Sequence, residues 1–457
     1  MKFFRFNGLL QRGGWVQGAY VGVDYAGTIT SINEALPVGQ VPIETVNGYA
    51  VPGFQNAHSH AFQYAMAGLA EKHAAGSNDD FWSWREAMYT CALSIGPEQV
   101  ESIAGMLYAE MLLNGYTHVA EFHYLHHDLE GNPYSNRAEI GERLVAAAAT
   151  AGIKITLVPV FYQKGNFGKE PSARQRRFIC TTIDEYFQLL DASENAVKNY
   201  NGAQLGYGVH SMRAVGHDDV IRTFQNGSPL LPFHLHAAEQ LKEVSDCEDF
   251  LGKRPVEWLL DNLPLSDRCH LVHCTHLSDS EVLSLARSAA NVVLCPGTEA
   301  NLGDGIFRLG DFARSGGHWS LGTDSHISLQ PLEDLRWMDY TQRLITHKRN
   351  TFDEGAISLI TEVLVNGRKA MKTHAQANFF EVGTRFDAVV YDAHMPLLSR
   401  DDPRALLSTI VYTGDRSVML GTIVNGNWII KRGEHIRREP IFARYGAAIR
   451  AIAKQVN

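Results

Sequence analysis

Short apolar runs alternate with helix-like stretches through the middle of this chain, and that alternation constrains its fold more than any other feature. Eight runs have the character of strands: Ala50–Gln55, Thr117–Phe122, Lys154–Val160, Gln204–Val209, Pro232–His236, Cys269–His273, Asn291–Cys295 and Trp319–Gly322. Helical patterns lie between them, including Pro97–Asn114, Arg137–Ala151, Gln240–Leu260 and Leu277–Ala289. Strands that alternate with helices are typical of parallel β-α units. Eight such units predict an α/β fold, an (α/β)8 TIM-type barrel, with an open doubly wound sheet as the alternative.

Both ends of the chain have a different texture, with short β-prone runs separated by glycine-bearing turns. These runs are Gly14–Val23, Gly27–Ile32, Phe386–Asp392 and Gly421–Ile430. The Asn425-Gly426 pair between apolar residues is a strong hairpin signal. Neither end is long enough to be persuasive as a domain alone. We therefore expect residues 1–50 and 376–457 to pair into one small β-sandwich domain, with residues 51–375 forming the barrel.

The charge balance and the apolar pattern argue against some classes of partner. The 457 residues include 41 Lys and Arg against 50 Asp and Glu, a net charge of −9 with histidine neutral, which disfavours a nucleic-acid partner. Apolar runs long enough to span a membrane are absent, and the first residues lack a secretory signal pattern. The six cysteines form no CxxC pair, which disfavours a disulfide framework and a zinc ribbon. We therefore expect a cytoplasmic protein with no membrane partner.

Histidines and carboxylates follow four of the predicted strands. They are His58 and His60 after the first strand, His234, His236 and Glu239 at the fifth, His270 and His273 at the sixth, and Asp324 after the eighth. The carboxyl ends of barrel strands meet on one face, so these side chains are expected to converge. The period-two spacing of His58 and His60 projects both rings the same way, toward a single metal ion. His234 and His236 have the same parity, so spacing alone leaves either as a ligand.

These strand-end motifs resemble those of the amidohydrolase superfamily, over nearly the whole chain. In its deaminase branch a glutamate follows the strand-five ligand by three residues, as Glu239 follows His236 here. The resemblance therefore implies a metal held by His58, His60, His236 and Asp324, with His234 as a packing residue.

The metal content also follows from this resemblance. The binuclear branch supplies a bridging carboxylated lysine after strand three or four, whereas the fourth predicted strand ends in Val209–Arg213 and Lys164 lies in a loop beyond the third. One divalent ion per subunit is implied, with Zn²⁺ favoured over iron or manganese, which suit the same ligands. Related barrels are commonly homodimers, and we expect the same here.

Four longer segments narrow the resemblance to bacterial deiminases that hydrolyse N-formimidoyl-L-glutamate to N-formyl-L-glutamate and ammonia during histidine degradation. The segments are Pro52–Glu71, Phe81–Tyr89, Ala120–Asp128 and His210–Val215. The resemblance implies that Arg85 and Arg213 bind the two substrate carboxylates, which suits the planar guanidinium fork. It also places Gln63, Tyr124 and His210 in contact with the substrate.

The catalytic roles expected from this resemblance belong to three side chains. Asp324 accepts a proton from the attacking water, and Glu239 protonates the nitrogen that leaves as ammonia. His273 donates a hydrogen bond to the tetrahedral intermediate.

Two alternatives to this function stay open at the level of sequence. The same scaffold could act on a heterocycle such as guanine or an adenosine derivative, or a barrel that has lost catalysis could only bind metal. The cluster His123, His126 and His127 is expected to form a polar active-site loop rather than a second metal site.

Overall fold

The computed structural model describes residues 1–35, 42–71, 81–373, 377–399 and 402–456. The strands in these ranges are β1 (Lys2–Gln11), β2 (Gly14–Gln17), β3 (Tyr20–Val23), β4 (Ile29–Asn33), β5 (Ile43–Pro52), β6 (Phe54–Ser59), β7 (Tyr116–His123), β8 (Lys154–Phe161), β9 (Ala203–Leu205), β10 (Tyr207–Ser211), β11 (Phe233–Ala237), β12 (Cys269–His273), β13 (Asn291–Leu294), β14 (His318–Leu321), β15 (Ala388–Asp392), β16 (Met419–Val424), β17 (Asn427–Lys431) and β18 (Glu434–His435). The α-helices are α1 (Phe81–Ala92), α2 (Pro97–Leu113), α3 (Glu139–Ala151), α4 (Ile183–Val197), α5 (His217–Asn226), α6 (Leu241–Leu251), α7 (Pro255–Asn262), α8 (Asp279–Arg287), α9 (Pro296–Leu302), α10 (Leu309–Arg314), α11 (Pro331–Thr346), α12 (Ala356–Ala370), α13 (Pro403–Thr413) and α14 (Arg438–Val456).

The central sheet is a nearly closed parallel barrel. Its strands pair in the order β6-β7-β8-β10-β11-β12-β13-β14, with the short β9 also paired to β8. A parallel bridge between Ser59 and Asp324 joins the first strand to the residues that follow the last one. Nearly all residues of these strands are buried, as expected where helices cover the outer face. The predicted eight-stranded (α/β)8 barrel is confirmed.

Two predicted elements have different bounds in the structure. The run Ala50–Gln55 is not one strand, because β5 ends at Pro52 in the terminal sheet and β6 begins at Phe54 in the barrel. At Gly53 between them a Cβ atom would lie 2.2 Å from Thr117 Oγ1, so the crossing requires glycine. The predicted helix Gln240–Leu260 is two helices, since the chain leaves α6 at Gly252 with φ +70° and α7 starts at Pro255.

The two ends of the chain form one sheet, as the sequence predicts. Its order is β18-β17-β16-β15-β5-β1-β3-β4, with β2 also paired to β1. The rings of Phe4 and Phe6 on β1 contact Phe386 from the other end, with centroids 5.6 and 5.9 Å away. Asn425 and Gly426 turn between β16 and β17 with φ +46° and +69°, which confirms the hairpin. The division of the chain at residues 50 and 375 stays a prediction.

The barrel fixes where chemistry can occur. Loops that follow the parallel strands gather on one face, and helix α1 lies over that face with Arg85 and Met88 among the side chains that line its pocket. Across the described residues, the helices are too short or too polar for any of them to cross a membrane.

Candidate active site

The four predicted metal ligands meet where the barrel closes. His58 and His60 come from the end of β6, His236 from β11, and Asp324 from the turn after β14. The Nε2 atom of His58 lies 3.1 Å from Nε2 of His60 and 3.0 Å from Nε2 of His236. Asp324 Oδ1 lies 3.1 Å from His60 Nε2 and 3.6 Å from His58 Nε2. One ligand atom from each side chain therefore faces a common point.

The hydrogen bonds behind these rings show that the cluster suits a cation. His60 Nδ1 donates to the carbonyl oxygen of Phe122 at 2.7 Å, and His236 Nδ1 donates to that of His210 at 2.9 Å. Both rings then present an unprotonated Nε2 to the centre, and one proton on His58 Nε2 can satisfy only one of them. A divalent ion satisfies all the nitrogens at once, and three imidazoles with a carboxylate fit zinc.

Electrostatics favours the ligand forms of these side chains. Burial and the neighbouring His60 lower the pKa of His58 to about 3, so its ring is neutral at pH 7. Burial alone would raise the pKa of Asp324, but the neighbouring His58 and His60 side chains hold it well below its usual range. Neutral imidazole and ionised carboxylate are the species that bind metal.

A second group of buried side chains adjoins the metal cluster. His273 Nε2 lies 3.6 Å from Glu239 Oε1 and 3.7 Å from Asp324 Oδ2. On the other side of the ring, Nδ1 is 3.3 Å from Glu299 Oε1. Burial raises the pKa of Glu239 to about 7, against the lowering effect of His273 and Arg213. Glu239 can therefore hold or release a proton near neutral pH.

Two glutamates in this region were missed by the sequence analysis. Glu299 lies in α9 after β13, and its carboxylate also accepts from the backbone N–H of Cys295 at 2.9 Å. Glu243 lies one helical turn beyond Glu239 and accepts from the N–H groups of Ala238 and Glu239 at 3.2 and 3.1 Å. The position of Glu299 just after the seventh predicted strand was a usable signal. Glu243 gave none, since a glutamate near a helix start is common.

All the predicted substrate-binding residues line one pocket beside the metal cluster. That pocket is bounded by Gln63, Arg85, Tyr124, His210 and Arg213 together with His60, His236, Glu239 and Asp324. Gln63 Nε2 donates to the hydroxyl oxygen of Tyr124 at 3.0 Å. The structure therefore brings together side chains that lie far apart in the sequence.

The two arginines of the pocket are held differently. The guanidinium carbon of Arg85 lies 4.5 Å from the ring centre of Trp82 and 5.6 Å from that of Tyr89, and no carboxylate in the described part of the chain pairs with it. The Nη2 atom of Arg213 lies 3.5 Å from Glu239 Oε2, and its Nε atom lies 3.8 Å from Glu243 Oε2. The Arg85 cation thus rests on aromatic faces, while Arg213 is shared with two carboxylates.

Comparison with known proteins identifies the family. Residues 49–429 match the sequence model of the amidohydrolase family. The chain belongs to the amidohydrolase family. It is 44% identical over 402 residues to the formimidoylglutamate deiminase of Pseudomonas aeruginosa, covering 87% of this chain and 88% of that protein.

Two solved structures share the fold of this chain. An amidohydrolase from Brucella melitensis superposes with a TM-score of 0.91 at 37% identity, over 99% of this chain and 100% of that one. An adenosine deaminase from Xanthomonas campestris, crystallised with bound zinc, gives a TM-score of 0.81 at 20% identity, over 99% and 98% of the two chains. At that lower identity the likeness shows the fold alone.

Four further histidines of the amidohydrolase barrel have structural surroundings. His234 is buried and stacks on His270 with ring centroids 4.8 Å apart, as expected of a packing residue. His126 and His127 donate from Nε2 to the carbonyl oxygens of Val160 and Ile179, at 2.9 and 2.8 Å.

The prediction of a polar active-site loop at this cluster is wrong. His123 is the last residue of β7, both of its ring nitrogens are buried without a hydrogen-bond partner in the described structure, and the three rings lie outside the pocket. In the loop after β8, the Nζ atom of Lys164 pairs with Glu170 Oε1 at 3.1 Å.

Because His123 is buried as a neutral ring, it should make the fold sensitive to acid. Burial lowers the pKa of His123 to about 3, against about 6.5 in an unfolded chain. Below pH 6.5 the unfolded state binds a proton that the folded state does not, so the free energy of unfolding falls as pH falls. From pH 7.5 to 5.0 this one residue lowers it by about 2 kcal/mol, a loss that His123→Phe should remove. Urea unfolding of chelator-treated protein at both pH values measures the difference.

The exposed His347→Asn serves as the control and should retain the wild-type pH dependence. A His123→Phe protein whose free energy of unfolding kept the full wild-type pH dependence would contradict the argument.

Proposed function

We propose that this amidohydrolase is a metal-dependent deiminase that converts N-formimidoyl-L-glutamate and water to N-formyl-L-glutamate and ammonia, a reaction of histidine degradation. The observation that carries the proposal is the pairing, in one pocket, of two arginines with a metal-ligand cluster and a proton-carrying glutamate. The extended similarity to the deiminase of Pseudomonas aeruginosa supports it.

His58, His60, His236 and Asp324 would hold one divalent ion per subunit, and we propose zinc because the donor set suits it. Bound there, the ion supplies Lewis acidity that lowers the pKa of a coordinated water toward about 7. The homodimer stays a prediction from the family resemblance, and the cytoplasmic location a prediction from the sequence pattern.

The substrate is a dicarboxylate with an amidine at one end, so the pocket needs opposite properties at its two ends. Arg85 and Arg213 bind the carboxylates through paired N–H donors. Gln63, Tyr124 and His210 orient the chain between them, and Gln63 Oε1, buried without a partner in the described structure, can accept from an amidine N–H. A planar purine ring offers these arginines no carboxylate.

The reaction adds water across the C=N bond and then breaks a C–N bond. Asp324 accepts a proton from the attacking water, and a C–O bond forms at the formimino carbon. His273 donates from Nε2 to the tetrahedral intermediate, a contact worth about 3 to 4 kcal/mol if it behaves like other preorganised donors. Glu239 protonates the terminal nitrogen as the C–O bond forms, and the proton held by Asp324 then passes to the resulting amine, so that the C–N bond breaks and ammonia leaves. The hydroxyl proton of the intermediate returns to Glu239 as the C=O bond of the formyl group forms on the glutamate nitrogen.

The direct test is ammonia release by the zinc-loaded protein. We expect release from N-formimidoyl-L-glutamate and none above background from guanine or adenosine, because only the first carries the carboxylates that the arginines bind. Treatment with a chelator should abolish release and added zinc should restore it. No ammonia from formimidoylglutamate, or faster release from guanine or adenosine, would reject the proposed substrate.

Glu239→Gln should separate proton transfer from metal binding. The amide keeps the size of the side chain but carries no exchangeable carboxyl proton, so kcat should fall by at least about 100-fold. Zinc content, measured by atomic emission, should match the wild type. Glu248→Gln, at an exposed position of the helix α6 that follows Glu239, is the control and should be fully active. A Glu239→Gln enzyme with undiminished kcat would remove this residue from the mechanism.

Arg213→Ala should act on substrate affinity more than on metal content. Loss of a charged hydrogen-bonding partner weakens binding by about 1.5 to 3 kcal/mol, so KM should rise about 10- to 100-fold. For an analogue that lacks one carboxylate, the rise in KM on Arg213→Ala should be smaller, since the analogue can bind without using the contact with Arg213. Arg222→Ala, at an exposed position of α5, is the matched control. An unchanged KM in Arg213→Ala would place that arginine outside the substrate contacts.

A further inference from the structure

Glu121 is a buried carboxylate that the proposed mechanism does not use. It lies on β7, its residue is 1% exposed, and no lysine or arginine in the described ranges pairs with it. Burial of an acidic side chain costs free energy unless hydrogen bonds compensate it. The position of Glu121 in a strand whose residues are all buried therefore requires a specific set of partners.

Those partners flank one of the metal-ligating histidines. Glu121 Oε2 accepts from the hydroxyl of Ser59 at 2.6 Å, and Oε1 accepts from the backbone N–H of Ala61 at 2.6 Å. The next residue of β7, Phe122, accepts from His60 Nδ1 through its carbonyl oxygen. Two adjacent residues of β7 thus hold three consecutive residues, Ser59 to Ala61, with His60 in the middle.

The pairing of β6 with β7 explains why such a contact matters. The register of these strands is regular at Gln55 and Asn56, then shifts before Ser59, which lies opposite Glu121. Beyond the shift the chain leaves the strand and enters a 3-10 helix, Ala61–Met66. The backbone ladder is therefore irregular along the His58-Ser59-His60 segment, and the carboxylate of Glu121 supplies hydrogen bonds at its end.

We propose that Glu121 is a positioning residue for the metal centre, and that it fixes His60 in the ligating direction by holding Ser59 and Ala61. The inference rests on the proposed metal site. Glu121 is not itself placed as a ligand, because both of its oxygens already accept hydrogen bonds, and it does not line the substrate pocket. Residues that orient ligands in this way typically alter metal affinity by about 10- to 100-fold when removed.

The test measures zinc affinity by competition with a chromophoric chelator, on full-length protein stripped of metal. Glu121→Ala should raise the zinc Kd by about 10- to 100-fold. Glu121→Gln should recover most of the affinity, within about fivefold of wild type, because its amide oxygen accepts from Ala61 while its NH2 group donates to the Ser59 hydroxyl oxygen.

Glu281→Ala is the matched control for this comparison. Glu281 is 2% exposed and accepts from the backbone N–H groups of Ser278 and Glu257, but it lies in the first turn of α8, away from the metal ligands, and unlike Glu121 it also pairs with Arg254 at 2.7 Å. Its loss should lower the melting temperature and leave the zinc Kd within about twofold of wild type.

Three results would overturn the inference: a zinc Kd within about twofold of wild type in Glu121→Ala, an equal weakening in Glu281→Ala, or a Glu121→Gln protein no better than Glu121→Ala. If Glu121→Ala does not fold by circular dichroism, Ser59→Ala replaces it. That variant deletes only the hydroxyl contact and should weaken zinc several-fold; unchanged binding would count against the inference equally.

These outcomes are distinct from failure of the proposed function. Wild-type protein that bound no zinc would remove the metal centre itself. Wild-type protein that bound zinc but released no ammonia would reject the substrate and leave the role of Glu121 standing. Tight zinc binding unaffected by Glu121→Ala would reject only the positioning role.

Discussion

The hydrogen bonds that close the barrel also bring the metal-ligating side chains together. The carbonyl oxygen of His58 accepts hydrogen bonds from the N–H groups of Thr323 and Asp324, both at 3.0 Å, and His60 N–H donates back to the Asp324 carbonyl at 3.3 Å. These contacts join the end of β6 to the turn after β14. The ligands from the first and last strands therefore reach the metal position because the barrel closes there. The rest of the site, from β7 to β13, is arranged around that seam.

The cluster is costly for the polypeptide alone, and the structure compensates this from behind. Three buried imidazole nitrogens and a carboxylate that face one another are stable only with a shared cation or proton. The backbone carbonyls of Phe122 and His210 fix two of the rings. Buried carboxylates fix their neighbours: Glu299 faces His273, and Glu243 accepts from the backbone of Glu239. Many groups of the site therefore serve to hold other side chains in place.

The sequence predicts the ligands well because strand ends impose their geometry. Parallel strands bring every carboxyl end to one face, so the strand-end positions of His58, His60 and Asp324 predict that they converge. The family resemblance, not strand geometry, distinguished His236 from His234. Glu299 follows a predicted strand and gave a usable signal, but Glu121 and Glu243 could not be placed in the same way, since the contacts of Glu121 are visible only once β6 and β7 are paired in register. The predicted bounds of strands and helices are wrong where the chain changes direction, as at Gly53 and Gly252. A local pattern does not show which sheet or helix a run of residues joins. The role predicted for the His123 cluster is wrong for a related reason. The sequence does not show that imidazoles such as those of His126 and His127 donate hydrogen bonds to carbonyl oxygens far along the chain.

The charge distribution of the pocket follows from a constraint on the whole chain. A protein of net charge −9 that binds a dianion has to create a positive potential locally. Arg85 does this without a carboxylate partner in the described structure, stabilised instead by the faces of Trp82 and Tyr89. Arg213 cannot be free in the same way, because Glu239 must lie within reach of the reacting nitrogen and Glu243 must hold the backbone of Glu239. Sharing Arg213 between these two carboxylates compensates their burial, and a substrate carboxylate then competes for its remaining N–H groups. In the proposed mechanism, one guanidinium therefore couples substrate recognition to proton transfer, whereas Arg85 contributes to recognition alone.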